Sequence, residues 1–194
     1  QTMSIALKCS VKSKSIYNYN GFVTQLIINY TKHKTGDDYE KLLNKIFADK
    51  VKIKYSILPY RNSGTGQGKL HPTISATRYD WLRIAKAIMD DYQNDTCVGK
   101  YLKEIHKRKI PKNYGGHKTE PKFNRTKSYG GQFHMDYPGL KDRVVFGFGG
   151  YGGNAILIDV EKSRIVVLNS VHYNNKKFKY NVKKLLIDPI KNGK

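Results

Sequence analysis

Apolar residues fall at helical spacing early in the chain and in short continuous runs towards its end. Phe22, Val23, Leu26, Ile27 and Tyr30 recur every three or four positions, which predicts an amphipathic helix stopping at Gly36. A second helix is predicted from Asp37 and Asp38, whose carboxylates suit the positive end of a helix dipole. Its apolar face is Tyr39, Leu42, Leu43, Ile46 and Phe47. Residues 51–58 (VKIKYSIL) alternate apolar and charged, which predicts a strand or extended segment. Pro59, Gly64, Gly66, Gly68 and Pro72 then predict a loop. Ser75 or Thr77 offers an N-cap to a helix carrying Tyr79, Leu82, Ile84, Ala85, Ile88 and Met89. A short helix is expected over 98–107 and a long loop over 111–132. Val144, Val145 and Phe146 open a β region. The runs 154–160 (NAILIDV) and 163–169 (SRIVVLN), joined by Glu161 and Lys162, predict a hairpin. Phe178, Val182, Leu185 and Leu186 predict a closing amphipathic helix that ends before Pro189.

Helices, loop, hairpin and terminal helix in that order predict an α/β protein, α+β by strict naming. An antiparallel sheet is covered by packed helices. No internal repeat divides the chain, and its 194 residues read as one domain, 1–194. The 36 Lys+Arg against 15 Asp+Glu give a formal net charge of +21, which raises nucleic acid as a partner. The lysines are spread over nearly every segment, and the longest basic cluster is His106-Lys107-Arg108-Lys109. That spread reads as a solvated basic surface, with no nucleic-acid partner expected. No apolar run approaches the roughly 18–20 residues of a membrane span. Cys9 and Cys97 lack metal-ligand spacing, as do the histidines, so neither metal nor cofactor is expected.

Three segments carry more specific patterns. Tyr17-Asn18-Tyr19-Asn20-Gly21-Phe22 precedes the hydrophobic helix, and Thr73-Ile74-Ser75-Ala76-Thr77-Arg78-Tyr79-Asp80-Trp81 leads into the second long one. Gly149-Gly150-Tyr151-Gly152-Gly153-Asn154 runs into the hairpin. In this order they resemble the β-lactamase-related serine hydrolases, which include class C β-lactamases, penicillin-binding D,D-peptidases, esterases and 6-aminohexanoate-dimer hydrolases. The first is similar to the family's Tyr-x-Asn motif. The third is similar to its Lys-Thr-Gly or His-Gly-Gly-Gln motif. The likeness runs over residues 16–190.

The resemblance implies a β-lactamase/transpeptidase-like fold and acyl transfer from an amide, ester or lactam, the substrate being a small molecule or peptide-like. A serine attacks the carbonyl, a lysine three residues on removes its proton, and fixed N–H donors hold the oxyanion. Carried over by residue, Tyr17 takes the proton-transfer tyrosine and Asn18 the substrate-orienting amide. Tyr151 takes the basic or hydroxyl position of the third motif, and Asn154 supplies an oxyanion N–H. Gly152 and Gly153 let substrate approach the backbone. Tyr-x-Asn is not literal, since Ile16 stands two residues before Asn18. No serine is followed by lysine three residues on, so the nucleophile is expected before Gln1, with the sheet incomplete at that end and the fragment inactive alone. The family's habit implies the periplasm or cell envelope.

Blander readings stand beside these. Tyr17 and Tyr19 equally fit amphipathic core tyrosines at a helix start. The glycines from Gly147 to Gly153 fit a plain loop, though not a dinucleotide fingerprint, because a strand and not a helix follows them. His134 and Asp136 are the one His–carboxylate pair just upstream of the third motif. A catalytically silent binding module with the same fold is the alternative function, with a basic nucleic-acid-binding protein behind it.

Overall fold

The computed structural model describes residues 17, 21–55, 58–61, 72–112, 126–140, 142–150, 154–169 and 183–193. Helix α1 (Gly21–Thr35) runs through a 3-10 turn (Gly36–Asp38) into α2 (Tyr39–Asn44) and a π-helical turn (Lys45–Lys50). Strands β1 (Leu58–Arg61) and β2 (Pro72–Ser75) pair antiparallel as a separate ribbon. Helices α3 (Arg78–Gln93) and α4 (Cys97–Lys107) follow. The main sheet has six antiparallel strands in chain order: β3 (Ile110–Pro111), β4 (Ser128–Gly130), β5 (Phe133–Met135), β6 (Val145–Gly150), β7 (Asn154–Asp159) and β8 (Arg164–Leu168). A π-helical turn (Lys183–Ile187) and α5 (Asp188–Asn192) close the chain. The α+β class expected from the hydrophobic pattern is the class observed.

Strand alternation sorts the core into two layers, because successive side chains point to opposite faces. Phe146, Ile156, Ile158 and Met135 meet Ala85, Met89, Leu102 and Ile105 of α3 and α4. On the other face Val145, Leu157 and Tyr137 meet Leu186, Ile187 and Ile190 of the terminal segment. The predicted hairpin is β7–β8, with Ile158 opposite Ile165.

The start of α3 shows how local chemistry fixes these helices. Thr77 caps it, its Oγ1 accepting from Asp80 N at 3.1 Å. The buried Asp80 carboxylate accepts from Lys54 N at 2.9 Å, Thr77 Oγ1 at 3.0 Å and Arg83 Nη1 at 2.9 Å. Burial pushes its pKa up, but those donors outweigh burial and hold it below the ordinary value. Gly99 brings α4 onto α3: a Cβ there would lie 1.9 Å from Asp91 O.

Several expectations are corrected. Residues 51–55 form no strand. Val51 N and Ile53 N bond back to Ile46 O and Phe47 O, Lys52 takes a left-handed φ of 56°, and Lys54 N is taken by Asp80. Pro59 and Pro72 lie in strands, a position that a two-stranded ribbon tolerates at its free edges. The predicted long loop over 111–132 contains β4. Pro189 begins α5 instead of following its end, and Gly193 at φ 72° terminates it. Asp90 and Asp91 sit in the last turn of α3, where the dipole opposes them. Lys86 Nζ at 2.5 Å holds Asp90; Lys50 Nζ at 2.5 Å and Thr96 Oγ1 at 2.7 Å hold Asp91. Cys97 is an exposed free thiol; Cys9 lies outside the described residues.

Candidate active site

The β4–β5 turn and the end of β6 stand together at one end of the main sheet. Gly130 pairs with Phe133, leaving a two-residue turn of Gly131 and Gln132 at φ 53° and 71°. Such paired left-handed residues match the twist of a hairpin. In the next ladder His134 pairs with Gly147, so the register carried two residues on sets Gln132 beside Gly149. The end of β6 at Gly149 and Gly150 is therefore the neighbour of the β4–β5 turn; Tyr151, Gly152 and Gly153 of the third motif lie outside the described residues. On the side shared with Phe148, a Cβ at Gly150 would meet nothing within 4 Å, so the strand end is open there.

Tyr17 reaches the same end. Its ring lies against Tyr129 of β4, centroids 4.9 Å apart and tilted by 60°. Tyr129 Oη donates to Gln132 Oε1 at 2.9 Å, and Thr24 Oγ1 of α1 donates to the same oxygen at 3.4 Å. Beneath the two rings runs Lys112, a buried lysine. Its Nζ lies 5.0 Å from the centre of the Tyr17 ring and 5.8 Å from that of Tyr129. It donates to Thr126 Oγ1 at 2.7 Å and to His134 Nδ1 at 2.5 Å. An ammonium offers only donors, so Nδ1 is the acceptor and the imidazole is neutral with its proton on Nε2. Burial first, and the Lys112 charge second, lower the His134 pKa from its usual 6.5 to about 4.

A second polar cluster lies past the other end of β5. Ser128 Oγ donates to Asp136 Oδ2, and Lys109 Nζ donates to Asp136 Oδ1 at 2.6 Å and contacts His106 Nε2 at 3.1 Å. Burial raises the Asp136 pKa, but the Lys109 and Ser128 donors outweigh it and leave it below the ordinary value. Asp136 has left the strand with φ 55°, so His134 and Asp136 engage different partners and form no dyad.

Of the residues singled out in the sequence, Tyr17 has a defined place on the Lys112 cluster. Asn154 begins β7 opposite Gly150. It is at the same sheet end as Tyr17 but three strands from β4, roughly 14 Å across the sheet. Asn18, Tyr151, Gly152 and Gly153 lie outside the described residues. Sequence reasoning missed Lys112, Thr126, Tyr129 and Gln132. The Gly130-Gly131 pair between Tyr129 and Phe133 was a usable hairpin signal; a single lysine in so basic a chain was none.

Thr126 and Lys112 are too deeply buried to meet an external substrate. Their chemical effect is to fix Tyr17 and Tyr129 and set a positive charge behind the rings. Among the described residues no group of three or more His, Cys, Asp or Glu can hold a metal ion, and no helix is long and apolar enough to cross a membrane. Comparison with protein-family models, curated protein sequences and solved structures finds no match.

Proposed function

We propose that this chain is the C-terminal part of a serine hydrolase of the β-lactamase-related kind, transferring an acyl group from an amide, ester or lactam to water. The supporting observation is that Tyr17 is seated on Tyr129 of β4, in the same antiparallel sheet whose β6 ends at Gly149 and Gly150 and whose β7 begins at Asn154. The order of turn, hairpin and terminal helix also agrees with the resemblance.

In this reading a serine from a Ser-x-x-Lys segment outside these 194 residues adds to the carbonyl. Its oxygen forms the new bond to carbon, and the leaving amine or alkoxide departs with a proton. Water then repeats the addition and frees the acid. Tyr17 relays protons. Asn18 orients the substrate amide. The resemblance gives the carbonyl oxygen to Tyr151 and the Asn154 N–H, where fixed donors contribute most to the rate; Asn154, roughly 14 Å across the sheet from β4, is too far from Tyr17 to share one carbonyl with it in the arrangement described. Gly152 and Gly153 admit substrate to the backbone.

The test is turnover of a chromogenic ester and a chromogenic cephalosporin by the full-length protein. Tyr17→Phe should lower kcat/KM about a hundredfold, the usual worth of a positioned proton-transfer group. Activity unchanged by Tyr17→Phe removes that role. A second reading, a catalytically silent binding module, is favoured by one observation: no serine here is followed by lysine three residues on. Full-length protein that turns over neither substrate supports it.

A further inference from the structure

An apolar cleft opens beside the β4–β5 turn, between α3, the π-helical turn before residue 51 and the helix-covered face of the sheet. Its volume is about 300 Å³, and its walls are Phe47, Trp81, Ile84, Ile88, Phe133 and Phe148. Trp81 and Phe133 both stand edge-on to Phe148, at 6.0 and 5.9 Å between centroids. Among the described residues no charged side chain lines it. Gly131 and Gln132 form its rim, and Gln132 holds a left-handed conformation that a side chain adopts at a cost. Both Gln132 bonds fall on Oε1, so among the described residues its amide NH2 has no protein partner. Phe148 is two residues before Gly150 on the same face of β6, so the cleft lies along the end of that strand.

We infer that this cleft binds the apolar acyl side of the substrate, an uncharged aromatic or compact aliphatic group, while the Gln132 amide donates to a polar atom next to it. The inference rests on the hydrolase reading and names its substrate class. A dry cavity of roughly 150 Å³ lined by apolar side chains suffices for one benzene ring. The volume here therefore admits up to a two-ring group. The open ring edges offer edge-to-face contacts to an aromatic guest. A charged guest would lose its water with no counter-charge in the walls.

Trp81 is the chain's single tryptophan, so its emission reports on this cleft alone. Phenylacetamide titrated into the full-length protein should change that emission saturably, and acetamide should not. Ile84→Phe, which fills the cleft, should weaken phenylacetamide at least tenfold, and Gln132→Ala about fivefold, the loss of one hydrogen bond. If Ile84→Phe disturbs folding, as judged by circular dichroism, amide shifts of Gly131, Gln132 and Phe148 in the unmodified protein decide instead. A linear response, an equal response to acetamide, or binding undiminished in folded Ile84→Phe overturns the inference. Fluorophosphonate labelling of a serine without saturable binding removes the pocket and keeps the hydrolase; saturable binding without labelling does the reverse.

Discussion

Tyr17, Lys112 and His134 make a cluster in which each residue limits what its neighbours can do. The neutral His134 accepts from Lys112, and Lys112 in turn supports two rings. The unfolded imidazole takes a proton near 6.5 and the folded one near 4, so between those values the unfolded chain binds more protons. The contribution is complete above pH 6.5 and is lost as pH falls towards 4, up to about 3 kcal/mol. Urea unfolding across that range should show the slope, and His134→Asn, which keeps an acceptor for Lys112 without titrating, should flatten it. Asp80 and Asp136 act in a lower window. Their depressed pKa values add stability above the ordinary 3.8, and it is lost as pH falls further. Asp80→Ala should cost about 3 kcal/mol in the same assay, because it strands the Lys54 N–H and Arg83. Tyr17→Phe keeps the ring and should cost at most about 1 kcal/mol. A large loss of activity in that variant then reports on the hydroxyl. The tyrosine was visible in the sequence; its lysine was not, since one lysine among 36 Lys+Arg residues reads as solvated surface.

The elements were legible where patterning and capping agreed. Helix α3 was expected from its apolar period and from Thr77, and Thr77 is the cap. Strands β7 and β8 are continuous apolar runs. Strands β4 and β5 are three residues each, too short to show a period, and their turn takes its shape from two left-handed residues. Residues 51–55 alternate like a strand, yet Asp80 takes Lys54 N before any strand partner can. A close approach between helices is that of Gly99 of α4 to the Asp91 carbonyl of α3. Gly99→Ala must part the two helices and should lower stability by about 3 kcal/mol, read as a lower urea midpoint. A midpoint within error of the parent would mean that α4 does not pack there.

Across the whole molecule, two surfaces stand out from an otherwise ordinary α+β core. The positive charge is spread along the sequence, and on α3 and α4 basic side chains pair with carboxylates such as Asp90, Asp95 and Glu104. Part of the exposed apolar surface forms a stripe on α1. Val23, Ile27 and Tyr30 of α1 are 47%, 51% and 56% exposed and lie on one stripe of the helix. A stripe of that kind favours association. Sedimentation of the 194-residue chain should show concentration-dependent self-association, reduced by Ile27→Lys; a monomer at all concentrations would contradict this. The central claim is the serine hydrolase, and its most direct measurement is labelling of the full-length protein with a fluorophosphonate probe, the modified residue being located by mass spectrometry. One labelled serine is expected, in a Ser-x-x-Lys segment outside these 194 residues, with labelling slowed by Tyr17→Phe. An unlabelled protein whose full sequence contains that segment would contradict it.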